Sequence, residues 1–226
     1  MTVSIGTPQG SCGMGDVLLL TAVCKHIPDQ VRVELFPKAA KYGLFFDHIC
    51  KDVIITDRAA VTKDIGSGHF AQRKMRSLGL HNLCYLPYIY PKPEYMEIGL
   101  ELIKEYNNPI AFIANCASSR HIRQPPAPIL QQYVDSLTSR YTVLQFGISN
   151  NFTPLKNTIP IVDTDIYTLL CYYTAIKRIV GVDTGDIHAM IAVGGAADVL
   201  IPKSTPHRDH DQWNYKHYSH IRYHIF

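Results

Sequence analysis

Short apolar runs rich in Val and Ile alternate along the chain with longer segments whose apolar positions recur at helical spacing. The runs 2–6, 31–36 and 52–56 read as strands, separated by helix-like stretches at 17–26 and 38–48. This βαβαβ order is followed by a helical segment within 66–80, an aromatic and proline-rich stretch over 85–93 that resists regular structure, and a helix over 94–106. Asn107-Asn108-Pro109 ends that helix and sets the expected boundary, with residues 1–108 as one Rossmann-like domain and 109–226 as a second. Beyond it, strands at 110–115, 142–147, 179–182 and 197–201 alternate with helices at 129–140 and 165–175 and a helix opening at Ile187. Two α/β halves in tandem predict a cleft between them.

The chemistry suggested by this pattern sits in the loops that follow strands. In IVGVDTGDIHAMIAV, a β-branched run ends in Asp183-Thr184-Gly185-Asp186 and turns at once into an apolar helix. Gly185 permits a tight turn, Thr184 or Asp186 can cap the helix, and the first-turn N–H groups form a site suited to phosphate. His188 lies close enough in sequence to add a donor or a cation, although an ordinary ligand-free connection has the same pattern. Near the start, the loop TPQGSCGMGD contains Gly13 and Gly15 but fits neither G-x-G-x-x-G nor a Walker motif. Asp16 ends it, as a helix N-cap or as a general base presented at the carboxyl edge of a sheet. After the strand at 110–115, the loop CASSRHIRQPPAP gathers Ser118, Ser119, Arg120, His121 and Arg123, donors that suit a diphosphate or, more simply, a basic surface loop.

Composition narrows the class without naming a substrate. Hydrophobic residues at 46% and charged residues at 18% describe a folded chain with no run of membrane-spanning length, so a cytoplasmic protein is expected. The six cysteines, Cys12, Cys24, Cys50, Cys84, Cys116 and Cys171, stand singly and form no C-x-x-C pair, which argues against a zinc ribbon or a disulfide scaffold. A formal charge of +3 is compatible with phosphorylated or nucleic-acid substrates and establishes neither. The cluster Arg73, Lys74 and Arg76 reads first as a solvated helix face. Asp163-Thr164-Asp165 has the spacing of a manganese-binding D-x-D but precedes a helix and reads as its cap. The tail carries His207, His210, His217, His220 and His224 among Trp213, Tyr215, Tyr218 and Tyr223. Those histidines match no compact ligand set, so a packing segment is expected and no metal site.

Four stretches in order, GMGDVLLLTAV, GHFAQRKMRSLGL, NCASSRHIRQPPAPIL and GVDTGDIHAM, resemble family-9 glycosyltransferases, the ADP-heptose:lipopolysaccharide heptosyltransferases. The late stretch matches that family's D-[TS]-G-x-x-H pattern and the early one its M-G-D loop. The resemblance implies a GT-B-like α/β fold, with two Rossmann-like domains facing across a cleft. It also implies inverting, metal-independent sugar transfer without a cofactor, from a nucleotide-diphosphate donor to a hydroxyl acceptor such as a lipopolysaccharide-core glycan. By the same resemblance Asp16 would be the catalytic base, with Gly13 and Gly15 as its glycine loop. Ser118, Ser119, Arg120, Arg123, Asp183, Thr184, Gly185 and His188 would hold the donor, and His69 and Arg73 would lie on the acceptor side. Arg123 stands where the family more often has lysine, and Pro125-Pro126 replaces a Trp-Pro pair. The family's acidic residue after the strand ending at Gly147 is absent from ISNNFTP. The first half is shorter than usual, so the acceptor stays open between a glycan and a hydroxymethylated base of viral-type DNA. A non-catalytic nucleotide-sugar-binding module is the competing class.

Overall fold

The computed structural model describes residues 3–6, 13–57, 69–81, 83–115, 124–203, 215 and 217–226. The chain divides into two compact units, Met1–Pro91 with Asp209–Tyr215, and Lys92–Arg208 with Lys216–Phe226. The helix expected to close the first half, α3 (Pro93–Ile103), therefore goes with the second unit, where it packs on α5 (Ile166–Ile176). Its Gly99 allows that approach, because a Cβ there would run into the carbonyl of Cys171.

In the first unit, β1 (Val3–Gly6), β2 (Val31–Leu35) and β3 (Asp52–Ile55) form a parallel sheet in that order. Helix α1 (Met14–Cys24) is buried almost all round, with every residue from Val17 to Cys24 fully enclosed. Thr21 is accommodated there because its hydroxyl donates to the Leu18 carbonyl at 2.6 Å and accepts from Tyr88 N–H at 2.9 Å. The segment expected as an α-helix after β2 is a 3-10 helix, Pro37–Phe46. Its buried Ala39, Tyr42 and Phe45 recur every three residues, the period of the tighter helix and not of the α-helix. Short α2 (Phe70–Ser77) completes the unit, and Tyr215 of the tail is buried against it in contact with His69 and Tyr85.

The second unit contains β4 (Pro109–Ile113), β5 (Thr142–Gly147), β6 (Ile159–Val162), β7 (Arg178–Val182), β8 (Ala196–Ile201) and β9 (Ile221–Ile225). All pairings are parallel, in the order β6-β5-β4-β7-β8-β9. This is the doubly wound Rossmann arrangement, so the α/β class read from the sequence is the one observed. Helix α4 (Ala127–Thr138) covers one face through Leu130 and Val134, which join Ile110, Phe112, Val143, Val180, Val182 and Leu200 in one apolar core. Buried Gln145 fixes the β5–β6 connection: its carbonyl oxygen accepts from Leu155 N–H and the Thr158 hydroxyl, and its amide donates to the Thr153 carbonyl.

Strand β9, absent from the sequence reading, joins the sheet edge through one carboxylate. Asp198 on β8 accepts from Arg178 at 3.0 Å, from Arg222 at 2.9 Å and from His224 at 2.9 Å. His224 is thus committed to an ion cluster and Tyr215 to apolar packing, while His207, His210 and Trp213 lie outside the described residues. Among the described residues no helix is long and apolar enough to cross a membrane.

Candidate anion-binding corner at the switch point of the second sheet

Strand order reverses between β4 and β7. The chain leaves β4 toward α4 and β5, and leaves β7 toward α6 (Gly185–Ala192) and β8, which opens a crevice outside the carboxyl ends of both strands. The two strands meet tightly there, since a Cβ on Gly181 would lie 2.5 Å from the Ile113 carbonyl oxygen. The loop expected to bind phosphate leaves this edge at Asn115 and returns at Gln124, whose amide donates to the Ala114 carbonyl at 2.6 Å. Ser118, Ser119, Arg120, His121 and Arg123 lie outside the described residues. Asn115 also donates to the Asn151 carbonyl beyond β5, tying the ends of neighbouring strands together.

On the other side of the switch point, Thr184 is the N-cap of α6 in extended backbone, φ −140° and ψ 175°, but its side chain makes no capping bond. Instead its hydroxyl donates to Asp186 Oδ2 at 3.2 Å, and the Tyr173 hydroxyl on α5 donates to Asp186 Oδ1 at 2.9 Å. Burial pushes the Asp186 carboxyl above its ordinary value; the hydroxyl bonds and the charge of His188 act the other way. The Tyr173 hydroxyl is pushed well up, by burial and by the neighbouring carboxylate. Gly185 opens the helix in ordinary backbone, because the positive-φ glycines among the described residues are Gly79 and Gly194, so the expected need for a tight-turn glycine is not what places it. His188 is buried at 6% exposure and Asp183 is half-buried. The corner is therefore a helix start that the Thr184 side chain does not cap, with the hydroxyls of Thr184 and Tyr173 turned onto the first-turn carboxylate of Asp186; a helix N-terminus at a switch point is a common place for an anion.

In the first unit, α1 begins three residues earlier than the apolar pattern suggested. Gly13 is the N-cap, so the capping role open to Asp16 falls elsewhere. Asp16 is half-buried in the first turn with Gly15 beside it, and a Cβ on Gly13 would stand 3.2 Å from its Oδ2. His69 is the N-cap of α2, accepting Ala71 N–H on Nδ1 at 3.2 Å, and is 1% exposed with its ring 4.5 Å from that of Tyr85 and 4.9 Å from that of Tyr215. The basic cluster is not a solvated face: Lys74 is 1% exposed, and Arg73 and Arg76 are half-buried. A polar helix is taken into the unit because these long side chains bury their apolar stems.

The D-x-D stretch splits into separate roles. Asp165 caps α5, accepting from Thr168 N–H at 3.0 Å and from its hydroxyl at 2.6 Å, as the sequence suggested. Asp163 turns away and accepts from Ser149 N–H at 2.9 Å. Among the described residues no cluster of three His, Cys, Asp or Glu side chains is arranged to hold a metal. Tyr173, which is fully buried, and Asn115 make contacts at this edge that sequence reasoning missed. Tyr173 lay hidden in an apolar helix, and Asp163 was read only together with its neighbour's cap.

No protein-family model and no curated protein matches the sequence. Solved structures do match its fold. The family 9 glycosyl transferase from Veillonella parvula superposes with a TM-score of 0.73 at 13% identity, over 99% of this chain and 85% of that one. The E. coli ADP-heptose LPS heptosyltransferase II gives 0.71 at 11% identity, over 100% of this chain and 90% of that one. The E. coli heptosyltransferase WaaC with ADP gives 0.59 at 12% identity, over 100% and 91%. The chain has the fold of these proteins, which is the fold that the four sequence stretches resemble.

Proposed function

We propose that the chain is a glycosyltransferase that moves a sugar from a nucleotide-diphosphate donor to a hydroxyl acceptor, with inversion and without a metal. The observation that carries this reading is the start of α6 at the Rossmann switch point, where the N-cap Thr184 makes no side-chain capping bond, between strands followed in the sequence by Asp183-Thr184 and by the Ser- and Arg-rich segment 116–123. The likeness of the whole chain to heptosyltransferases, one of them solved with ADP, supports it. In the proposed reaction Asp16 removes the acceptor hydroxyl proton as that oxygen attacks the anomeric carbon. The bond from the anomeric carbon to the diphosphate breaks, and the leaving charge is met by the first-turn N–H groups of α6 and by Arg120 and Arg123. The acceptor in this reading is a glycan, for which lipopolysaccharide core is the first candidate. The alternative acceptor, modified DNA, needs an exposed basic track; of the cluster that suggested one, Lys74 is buried and Arg73 and Arg76 are half-buried.

Asp16→Asn separates a transferase from a binding module. A transferase keeps its donor affinity and loses turnover by about 10²–10⁴-fold, because the carboxylate acts on the acceptor proton in the transition state. Turnover is measured as nucleoside diphosphate released from ADP-, GDP-, UDP- and CDP-linked sugars with an acceptor panel. Release that is equal in wild type and Asp16→Asn contradicts the base assignment.

A further inference from the structure

Strand β3 is the outer strand of the sheet β1-β2-β3, and among the described residues no strand pairs with its far edge. Parallel strands are ordinarily covered on both faces, and β2 beside it buries Val31, Val33 and Leu35 completely. The run Val53-Ile54-Ile55 of β3 is just as apolar, yet its residues are 38%, 36% and 47% exposed. Val53 and Ile55 point to one face of the sheet and Ile54 to the other, so the strand is open to solvent on both sides. Lys51 N–H donates inward to the Val31 carbonyl at 2.9 Å, and by alternation along the strand the backbone groups of Asp52 and Ile54 point outward. Edge strands are normally guarded by lysine, proline or a bulge, and Asp52–Ile55 contains no lysine or proline and pairs with β2 in unbroken register. Its one charge, Asp52, is engaged by Arg32 at 3.4 Å.

The charges at the two ends of this edge say what fits it. Exposed Lys51 precedes the strand and exposed Asp57 follows it, so the edge is basic at one end and acidic at the other. A second copy laid antiparallel, with Ile54 on a two-fold axis, sets Ile54 against Ile54, Val53 against Ile55 and Lys51 against Asp57. The outward backbone of Ile54 then meets its own copy in a hydrogen-bonded pair, and opposite charges meet at both ends. Parallel self-pairing would set like charges together. We propose that β3 is a self-association edge, through which two copies of this chain form a closed two-fold dimer with their three-stranded sheets continuous across the axis. A short strand on each side makes a small interface, so the dimer is a transient one. The proposal is independent of the donor-binding reading, since none of these residues belongs to the phosphate corner.

The test is sedimentation velocity of the full chain over a concentration series, for wild type, Lys51→Glu, Asp57→Lys and an equal mixture of the two variants. The expected wild-type dimer has a dissociation constant on the order of 100 µM, as suits an interface below the standard size. Each variant alone should associate about tenfold more weakly or worse, because it sets like charges opposite one another at both ends of the pairing. In the mixture each chain supplies the charge that the other has lost, so association should return to within about threefold of wild type. Both side chains are exposed, and regained association is a result that misfolded chains cannot give. Ile54→Lys, which places two like charges on the axis, should abolish the dimer in wild-type and variant backgrounds alike. Hydrogen exchange of residues 51–57 should slow as the wild-type concentration rises through the dissociation constant. A wild type that stays monomeric well above that concentration, association that neither charge reversal weakens, a mixture that does not regain it, or a dimer without protection of 51–57 overturns the proposal.

Discussion

Strand β7 ends in two contrasting environments. At its start, Arg178 shares Asp198 with Arg222 and His224, and also donates to the Tyr141 hydroxyl at 3.2 Å. Burial alone would raise the Asp198 carboxyl, but the bonds from His224, Arg178 and Arg222 prevail and hold it below the ordinary carboxylate range. At the other end of β7, Asp186 is met by the hydroxyls of Tyr173 and Thr184, and burial pushes it up. The same residue type shifts in opposite directions because one carboxylate has cationic partners and the other has mainly neutral ones. The difference divides the labour of the sheet. The first cluster gathers two guanidinium groups and an imidazole on one carboxylate and fixes the terminal strand, whereas the second ties a first-turn carboxylate to two hydroxyls at a helix start.

Removing the charge at each end should therefore have different consequences. The largest effect is expected for Asp198→Asn, which leaves two guanidinium groups facing no counter-charge. Because Arg178 and Arg222 stay in contact with water, the loss is about 2 kcal/mol and not the larger penalty of a fully buried pair. Urea denaturation measures it, and nucleotide affinity should be unchanged. Next, Tyr173→Phe keeps the ring against Phe146 but removes the donor to Asp186. A stability loss of about 1 kcal/mol should come with weaker diphosphate binding by about threefold, as Thr184 loses its fixed partner. Asp186→Asn should act oppositely on binding and tighten a diphosphate about twofold by deleting a negative charge beside it.

The smallest effect, and the sharpest in sign, is on pH. The Asp198 contribution is fully present above the unfolded carboxylate value of about 3.9 and is lost as pH falls through its lower folded value, so the penalty of Asp198→Asn should shrink in acid. Asp186 behaves in reverse. Its folded value is raised, so its contribution is most favourable below about pH 3.9 and declines as pH rises through the folded value. Asp186→Asn should therefore be relatively stabilising at neutral pH and neutral in strong acid. Denaturation midpoints across pH 3–7 read both, and parallel trends for the two variants would contradict the contrast.

Much of this sheet could be read from sequence because parallel strands buried on both faces are continuous apolar runs, as at β4, β5, β7 and β8. The two outermost strands were not legible. In β6, Pro160 sits within four residues, tolerated because the strand is at an edge. In β9, Arg222 and His224 look like tail composition until Asp198 is seen opposite them. At the site, Asp183-Thr184 was visible as a strand end running into a helix. The partner Tyr173 was not, because a hydrogen bond across elements leaves no local pattern. The base rates of surface chemistry also misled at Lys74, where a basic cluster proved to be buried.

We propose that the start of α6 binds the diphosphate of a nucleotide. It is tested most directly by titrating ADP, GDP, UDP and CDP into wild type and Gly185→Glu, with and without a chelator. Gly185 has ordinary helical backbone, and a carboxylate in the first turn favours the helix while repelling an anion there. At least one diphosphate is expected to bind the wild type, unaffected by the chelator, and Gly185→Glu to weaken it by about tenfold or more with no loss of thermal stability. Equal binding by the two proteins, or no binding by the wild type, would contradict it.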